Sequence, residues 1–503
     1  MKLKLSSVAI LFWVVSLSLN AQENGIYNVV DFGAIGDGNT LNTEAIQQAI
    51  DVCMDNGGGK VIVPPGDYLS GPLLMKSNLT FEVFPGAKLI FSDDIENNPI
   101  IDGRWEGIER KVYASLFTGH DLENITITGR GTIDGQGEKW WLASEETKRI
   151  RKQNGIRERE PNNPPGSPLK VPRPRLVNLY NCTNVLISEL KFINSPAWTI
   201  HPVYCQNVNI DKISIIQPYE SPNTDGINPE SCKDVRITNC FVDVGDDCIT
   251  LKSGYNEDGR RVGRACEDIV ISNCTFAHGR SAIGIGSEMS GDVRNVAVSN
   301  CVFNGTLRGI RVKSGRGRGG VVENLRVNNI IMTNVRDAIS IDMYYGKKDT
   351  GTYEVTVETP FFHNIHLNNI SAINVTNAAN VFGLPEAPVT SFSISNSNFE
   401  AQNGFDIQHV KDLTLRNVTV KNEKMESLKV DFVDKARIDN FNGIPLEKTR
   451  PAIHMTKSSD LLIYHCKPSP DLKTFIHAED CDDLDLDYNW LDMNQILIEE
   501  GTP

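Results

Sequence analysis

Asn184-Val185-Leu186-Ile187 is one copy of a short pattern, a polar Asn or Asp followed by alternating apolar and polar residues. Further copies begin at Asn207, Asp234, Asp268, Asn295, Asn324, Asn364 and Asp412. Four of the seven gaps lie in the twenties, and the longest has room for one more coil at Ser391-Phe392-Ser393-Ile394. Strict alternation over short segments predicts β-strands whose apolar side chains face inward.

The repeat length and the recurring Asn together predict the fold class. A sandwich or propeller would also give many short strands. Here, however, Asn recurs where the bends of successive coils would stack, and stacked Asn side chains can bond to one another. We therefore predict an all-β chain that forms a right-handed, single-stranded parallel β-helix, in which each coil contacts only its neighbours.

The cysteines favour a buried ladder over a disulfide framework. The chain has 11 cysteines, so at least one is unpaired unless it bonds another chain. Four of them follow an Asn: Cys182, Cys240, Cys274 and Cys301. Repetition in one local context indicates small residues stacked inside successive coils.

The N-terminus predicts a secretory signal peptide over residues 1–21. It has Lys2 and Lys4, an apolar run from Val8 to Val15 that is too short to cross a membrane, and a small residue at Ala21. No later segment resembles a membrane span. We therefore expect a secreted or periplasmic protein.

A helix should close the N-terminal end of the solenoid. Asn42 or Thr43 can cap a helix whose apolar stripe is Ile46, Ala49, Ile50 and Cys53. Such a cap would cover the exposed strand edges of the first coil.

The charge of the chain bears on its partners. A net charge of −14 argues against nucleic acid, because phosphate binding needs a basic surface. One short glycine-rich segment is nevertheless cationic and is a candidate anion site: Arg308, Arg311, Lys313, Arg316 and Arg318.

Four short motifs follow one another in the middle of the chain: Asn223-Thr224-Asp225, Gly245-Asp246-Asp247, His278-Gly279 and Arg311-Val312-Lys313. Asp225 and Asp246 are 21 positions apart, about one coil, so they should lie on adjacent rungs of one face. Carboxylates held so close raise at least one pKa, which keeps one acid protonated. Arg311 and Lys313 point to the same side of a strand and could together hold a carboxylate.

In order and context these motifs resemble glycoside hydrolase family 28, the polygalacturonases of pectin breakdown. The stretch from Tyr27 to Gly66 also resembles the first coils of pectin-degrading β-helices. The resemblance implies inverting hydrolysis of α-1,4-linked galacturonic acid, with Asp246 as general acid and with Asp225 and Asp247 activating water. For an inverting enzyme we expect the acid and base to lie roughly 6.5–9.5 Å apart.

The same resemblance assigns the binding residues. It implies that His278, preceded here by Ala277 and followed by Gly279, tunes the acids or holds substrate. It also implies a set of residues that contact an acidic polysaccharide: Asn223, Gly279, Arg311, Lys313 and Tyr345. Tyr344 competes with Tyr345 for its position.

The resemblance also suggests a division of the chain. After the signal peptide, residues 22–85 would form the N-terminal cap and first coils, 86–425 the catalytic β-helix, and 426–503 C-terminal coils or a tail. The extra segment from Gly254 to Cys266 resembles bacterial exo-acting forms and could wall off one end of the cleft. A long loop is expected over residues 138–174, where Trp140 and Trp141 either stack on sugar or anchor the loop.

The resemblance calls for no metal and no cofactor. Pectate lyases share the fold but use calcium and an arginine base. The alternatives are a rhamnogalacturonan or xylogalacturonan hydrolase, a polysaccharide lyase, and a carbohydrate-binding β-helix without activity.

Overall fold

The computed structural model describes residues 25–96, 98–156, 163–346, 349–469, 471–487 and 495–499. These residues form a right-handed parallel β-helix, so the predicted fold class is confirmed. Each coil contributes strands to three parallel sheets, and each strand pairs with those one coil before and after it. The predicted signal peptide, residues 1–21, lies outside the described residues.

The first sheet carries the repeated pattern found in the sequence. Its separate strands are Ile26–Asn28, Gly59–Val63, Leu79–Val83, Glu123–Gly129, Thr183–Ser188, Gln206–Asp211, Lys233–Thr238, Cys266–Ser272, Ser459–Tyr464 and Leu484–Asp487. In the later coils, strands of neighbouring sheets run together without a break: Val293–Asn304, Val321–Thr333, Phe361–Phe382 and Val389–Pro445. Ser391-Phe392-Ser393-Ile394 belongs to the last of these and supplies the extra coil that was predicted.

The second and third sheets complete each coil. The second contains Asp37–Leu41, Gly66–Ser70, Ala87–Phe91, Thr132–Asp134, Lys191–Ile193, Ser214–Ile216, Phe241–Asp243 and Thr275–Ala277. The third contains Leu73–Leu74, Phe117–His120, Val177–Tyr180, Ile200–Val203, Ile249–Leu251, Ile283–Gly286, Arg308–Lys313, Asp337–Asp342, Ile453–Thr456, Ile476–Glu479 and Ile496–Glu499. Of the four sequence motifs, Arg311-Val312-Lys313 lies in a strand of the third sheet, and the other three lie in the turns that lead into this sheet.

Asn side chains stack at the bends, as the sequence predicted. Asn184 donates from Nδ2 to Asn124 Oδ1 (3.0 Å), and Asn207 donates to Asn184 (2.8 Å). These residues have left-handed backbone conformations, with φ of +58° at Asn184 and +54° at Asn207. Asn tolerates this conformation better than bulkier residues do, and its amide bonds the next coil.

The N-terminal helix is present, but its capping differs from the prediction. A 3-10 turn, Val29–Phe32, precedes α1, Thr43–Asp55, which buries its predicted apolar stripe. Asn42 Oδ1 instead accepts from the backbone N–H of Ile35 at 2.6 Å, and Thr43 Oγ1 accepts from Gly71 N–H at 2.6 Å. Both side chains therefore tie the helix to the first coils and do not cap its free N–H groups.

The expected loop over residues 138–174 begins as a helix, so that prediction was wrong in its first half. Helix α2, Glu138–Gln153, buries Trp140 edge-on to Tyr113, with ring centroids 5.3 Å apart. Trp141 donates from Nε1 to Ser195 O at 2.9 Å. These contacts give both tryptophans an anchoring role.

An antiparallel hairpin, Ile100–Trp105 with Ile108–Tyr113, covers part of the third sheet and was not predicted. Its Arg104 is fully buried and forms an ion pair with the equally buried Glu230 of the coil beneath it. Arg104 NH1 also lies 3.1 Å from Asp258 in helix α3, Asn256–Val262. The hairpin and α3, hereafter the wall, are therefore joined to each other by Arg104 and Asp258, and to the β-helix by the buried Arg104–Glu230 pair.

Strands in the C-terminal stretch, where coils or a tail were expected, continue the same sheets. Ile453–Thr456 pairs with Ile476–Glu479, which pairs with Ile496–Glu499. The cysteines, all of which lie in the described part of the chain, form no disulfide bonds there. Cys240 N–H points at Cys274 Sγ (3.5 Å) one coil away, as expected for a ladder, whereas Cys182 stacks on Cys205.

Candidate active site

Three carboxylates meet on the outer face of the third sheet. Asp225 lies just before Ile227, and the pair Asp246-Asp247 lies just before Ile249, to which Ile227 is bridged in parallel. One oxygen of each carboxylate lies within 4.8 Å of the others. Neighbouring rungs thus bring the three together as predicted. The expected separation of roughly 6.5–9.5 Å between acid and base was wrong, because adjacent rungs are closer than that.

Lys313 and Arg311 control the charge of Asp247. Lys313 Nζ lies 3.0 Å from Asp247 Oδ2, and both side chains are buried. Burial alone would raise the pKa of Asp247, but Lys313 and then Arg311 outweigh it and hold that pKa well below its usual range. Asp247 is therefore ionised. Its Oδ1 is buried, and the neighbouring Ser281 side chain also helps to lower the pKa of Asp247.

Asp246 and Asp225 are shifted in the opposite direction. Burial first, and the charge of Asp247 second, raise the pKa of Asp246, although Arg280 Nε lies 3.7 Å from its Oδ2. Burial and the charge of Asp246 raise the pKa of Asp225 well above its usual range. The site therefore holds one firmly ionised carboxylate beside two that retain their protons more readily. This is the asymmetry that general acid–base chemistry requires.

The His278-Gly279 turn packs beneath Asp246. At Gly279, with φ of +103°, an added Cβ would lie 2.8 Å from the carbonyl oxygen of Asp246. Arg280 N–H donates to that same oxygen at 2.8 Å. The His278 side chain is 59% exposed, and its Nδ1 lies 3.0 Å from Asp243 Oδ1. The turn thus supports Asp246, while the imidazole lies at the margin of the carboxylate group.

The cationic strand presents Arg311 and Lys313 outward and Val312 inward, as predicted. The Tyr345 ring lies beside both cations, with its centroid 5.5 Å from Arg311 Cζ and 5.6 Å from Lys313 Nζ. Tyr344 contacts Arg316 instead. The structure therefore brings Tyr345 and not Tyr344 into the cleft.

Asn223 reaches the cleft from the first motif. Its Oδ1 accepts from Arg173 NH2 at 2.9 Å. Arg173 NH1 donates to the carbonyl oxygens of Pro196 and Pro222, at 2.7 Å and 2.9 Å. This buried guanidinium holds the loop that carries Asn223 over the carboxylates.

These groups line a cleft of ≈ 500 Å³. The residues that line it include several that sequence reasoning missed: Trp198, Lys252, Arg280, Glu288 and Arg336. Lys252 Nζ lies 3.2 Å from Glu288 Oε2 and 4.7 Å from the Trp198 ring centroid. Alternation along the strand could have identified it, because Lys252 follows inward-facing Leu251 as Lys313 follows Val312.

The predicted cationic segment is divided between two roles. Arg308, Arg311 and Lys313 line the cleft. Arg316, by contrast, forms a bidentate pair with Glu386, and Arg318 stacks on Tyr255 at 4.1 Å. The last two cations are therefore used to hold loops, and the anion site is smaller than the sequence suggested.

The tip of the hairpin forms part of the border of the cleft. Glu106, at the tip of the hairpin, lines the cleft, and the adjacent Trp105 stacks on Trp198 with ring centroids 5.0 Å apart. Arg175, fully buried, lies against both tryptophans, with Cζ 5.0 Å and 5.8 Å from their centroids. The predicted blocking segment, Gly254 to Cys266, contributes α3 behind the hairpin, and the hairpin itself is the part that faces the cleft.

The three carboxylates are also a group that could hold a cation. Their oxygens are of the hard type that Ca²⁺ prefers, but Lys313 already lies within hydrogen-bond distance of Asp247. The ammonium and guanidinium groups supply positive charge at this position. The chemistry of the site is thus that of an acid–base pair beside an anion-binding surface.

Comparisons with known proteins show the family to which the chain is similar. A sequence model of the family described as glycosyl hydrolases family 28 matches residues 53–400. A probable polygalacturonase of Vitis vinifera is 37% identical over 379 residues, which cover 73% of this chain and 73% of that relative. An exo-poly-alpha-D-galacturonosidase of Dickeya chrysanthemi is 25% identical over 436 residues, covering 79% and 71%. A solved hyperthermoactive exopolygalacturonase of Thermotoga maritima matches with a TM-score of 0.69 and 34% identity, covering 78% of this chain and 91% of that one.

Proposed function

The chain belongs to glycosyl hydrolases family 28, and from that premise we propose that it hydrolyses α-1,4-linked galacturonic acid in pectin. The observation that carries the proposal is the ion pair between Lys313 and Asp247 inside a group of three carboxylates. Together these groups supply a charged base, a protonated acid and a cationic surface for a uronic acid in one cleft.

Asp246 is the general acid in this proposal. Its raised pKa keeps the proton available for the leaving glycosidic oxygen. Asp247, held ionised by Lys313 and Arg311, accepts a proton from the attacking water. Asp225 shares the positioning of that water, since its raised pKa keeps it protonated more readily than Asp247. Water attack without a covalent intermediate inverts the anomeric centre.

Substrate carboxylates bind to the cationic side of the cleft. Arg311 offers a planar fork and Lys313 a point charge, and the partly exposed Tyr345 ring lies beside both. Asn223 and Gly279 shape the floor around the reacting sugar, and His278 supports the turn beneath Asp246. These roles depend on side chains that already have fixed partners, so the site is organised before substrate arrives.

We propose that the hairpin tip closes one end of the cleft, which favours attack at chain ends. The wall ends at Glu106 and Trp105, which stacks on Trp198 next to the Lys252–Glu288 pair. A polymer that fills the cleft must therefore end at this surface, so we propose exo action with release of monogalacturonate.

The described part of the chain has no helix long and apolar enough to cross a membrane. We propose a secreted or periplasmic location from the N-terminal sequence.

The proposal is tested by measuring reducing ends and ultraviolet absorbance together. Wild-type protein and Asp246→Asn are incubated with polygalacturonate, rhamnogalacturonan, xylogalacturonan and a neutral polysaccharide. We expect reducing ends from polygalacturonate only, no absorbance from unsaturated products, and a loss of about 100-fold or more in the variant. Absorbing products would indicate a lyase, and preferential cleavage of a branched substrate would overturn the choice of polymer.

A further inference from the structure

A second groove lies further along the β-helix, toward the C-terminal coils. It has a volume of ≈ 840 Å³, and its floor consists of the turns that follow third-sheet strands, including His409, Phe432 and Lys457. Thr350, Thr352, Pro385 and Pro388 also line it. We refer to it as the distal groove.

A short aromatic ladder forms the floor. His409 and Phe432 stack with ring centroids 4.8 Å apart and an interplanar angle of 14°. Phe432 is nevertheless 44% exposed, and Lys457 Nζ lies 5.1 Å from the centroid of its ring. Burial lowers the pKa of His409, so its ring is neutral near pH 7. Because the two rings stack face to face, the floor presents their apolar edges, with a cation at one side.

The backbone at these positions is unusual for such side chains. His409, Phe432 and Lys457 have φ of +50°, +52° and +47°, a conformation that Asn adopts at most other turns of this chain. A phenylalanine is strained there, and an exposed ring gains little from packing in return. Strain of this kind at an exposed aromatic residue points to a binding role.

The groove lies in register with the candidate active site. Lys313 pairs with Asp342, Asp342 with Phe382 and Phe382 with Gln408, so three rungs separate Lys313 from the edge of the groove. At about 4.8 Å for each rung this is roughly 14 Å. In the proposed function, the wall closes the cleft at the opposite end. A long substrate whose end is held at the wall would therefore extend toward the distal groove.

We propose that the distal groove binds the uncleaved remainder of the galacturonan chain, an inference that rests on the proposed function. The exposed edges of the Phe432 and His409 rings would contact the apolar faces of the sugars, and Lys457 would pair with a carboxylate. The acidic groups of the groove already have partners, because Asp434 lies 3.1 Å from Lys411 Nζ and Asp431 accepts from Thr456 Oγ1 at 2.6 Å. A uronate thus meets an accessible cation beside an aromatic surface.

The test compares a long and a short substrate. For Phe432→Ala we expect the ratio of kcat/KM on polygalacturonate to kcat/KM on digalacturonate to fall about three- to tenfold, through KM for the polymer. Ile331→Ala, which removes a side chain that is 50% exposed on the second sheet, is the matched control and should leave the ratio unchanged. An unchanged ratio in Phe432→Ala would overturn the proposal.

Binding without turnover separates this inference from the proposed function. Wild type and Phe432→Ala are run in native gels that contain polygalacturonate. Retardation that is weaker in the variant supports the groove even if the wild type cleaves no galacturonan, an outcome that would refute only the proposed function. Equal retardation of the two proteins counts against the groove.

Discussion

Lys313 Nζ lies 3.0 Å from Asp247 Oδ2, although the two residues are 66 positions apart in the chain. Two rungs of the third sheet bring them together, since Ile249 pairs with Ile283 and Ile283 with Ile310. The pair links the base of the proposed reaction to the cation that would hold the substrate. Both functions therefore depend on one buried contact.

Removing the charge of Lys313 should move the acid limb of the pH–rate profile. Asp247 must be ionised to act, and Lys313 is the largest influence that lowers its pKa against burial. In Lys313→Met that pKa rises. On acidification, the activity of the variant should therefore fall at a higher pH than that of the wild type. We expect kcat/KM to fall by about 100-fold. Lys313→Arg keeps the charge and is the control, and an acid limb that stays in place in Lys313→Met would contradict this assignment.

Asp225→Asn should stabilise the protein at neutral pH while it reduces activity. The pKa of Asp225 is raised in the folded state. Its burial therefore does not reduce the free energy of unfolding at a pH below the pKa of the unfolded state. As the pH rises from there toward the folded-state pKa, the free energy of unfolding falls progressively. The amide avoids that cost, and we expect a gain of about 1–2 kcal/mol at pH 7 that disappears near pH 3. Thermal unfolding at the two pH values checks this. A variant that is less stable at pH 7 would mean that Asp225 is ionised in the folded protein.

The first product should carry the inverted anomeric configuration. The carboxylate oxygens lie within 4.8 Å of one another, a spacing closer to that of retaining glycosidases, so distance alone does not favour inversion. Two carboxylates beside the acid can instead direct one water. Proton NMR during the first minutes of hydrolysis should show the β-anomer before mutarotation. An initial α-anomer would indicate a covalent intermediate.

Arg104 should be essential to the wall. Its guanidinium is fully buried against Glu230, and it also donates to Tyr204 Oη at 2.7 Å. Arg104→Leu leaves Glu230 buried without this partner, and we expect a loss of about 3–5 kcal/mol in the free energy of unfolding. Urea denaturation measures it. Arg149→Leu, which breaks an exposed pair with Glu146, is the control and should change the midpoint little. Similar midpoints for both variants would show that the ion pair does not hold the hairpin.

The sequence predicted the repeating parts of this molecule better than the parts that interrupt the repeat. Alternation at residues such as Val185 and Ile187, with Asn184 at the bend, was enough to predict the fold, because every coil packs its inward-facing apolar side chains in the same way. The hairpin that carries Arg104 was missed because its main partner, Glu230, lies 126 positions away, and nothing local marks the pair. Lys252 was missed although the same alternation applied to it.

The most direct test of the whole account is the chain length of the first products released from polygalacturonate. Samples taken before a tenth of the polymer is consumed are separated by anion-exchange chromatography. The proposed closure of the cleft by Glu106 and Trp105 predicts monogalacturonate as the only early product, with the polymer shortening slowly. An early series of oligogalacturonates with a rapid fall in viscosity would show that the chain passes through the cleft, and would contradict the closed end.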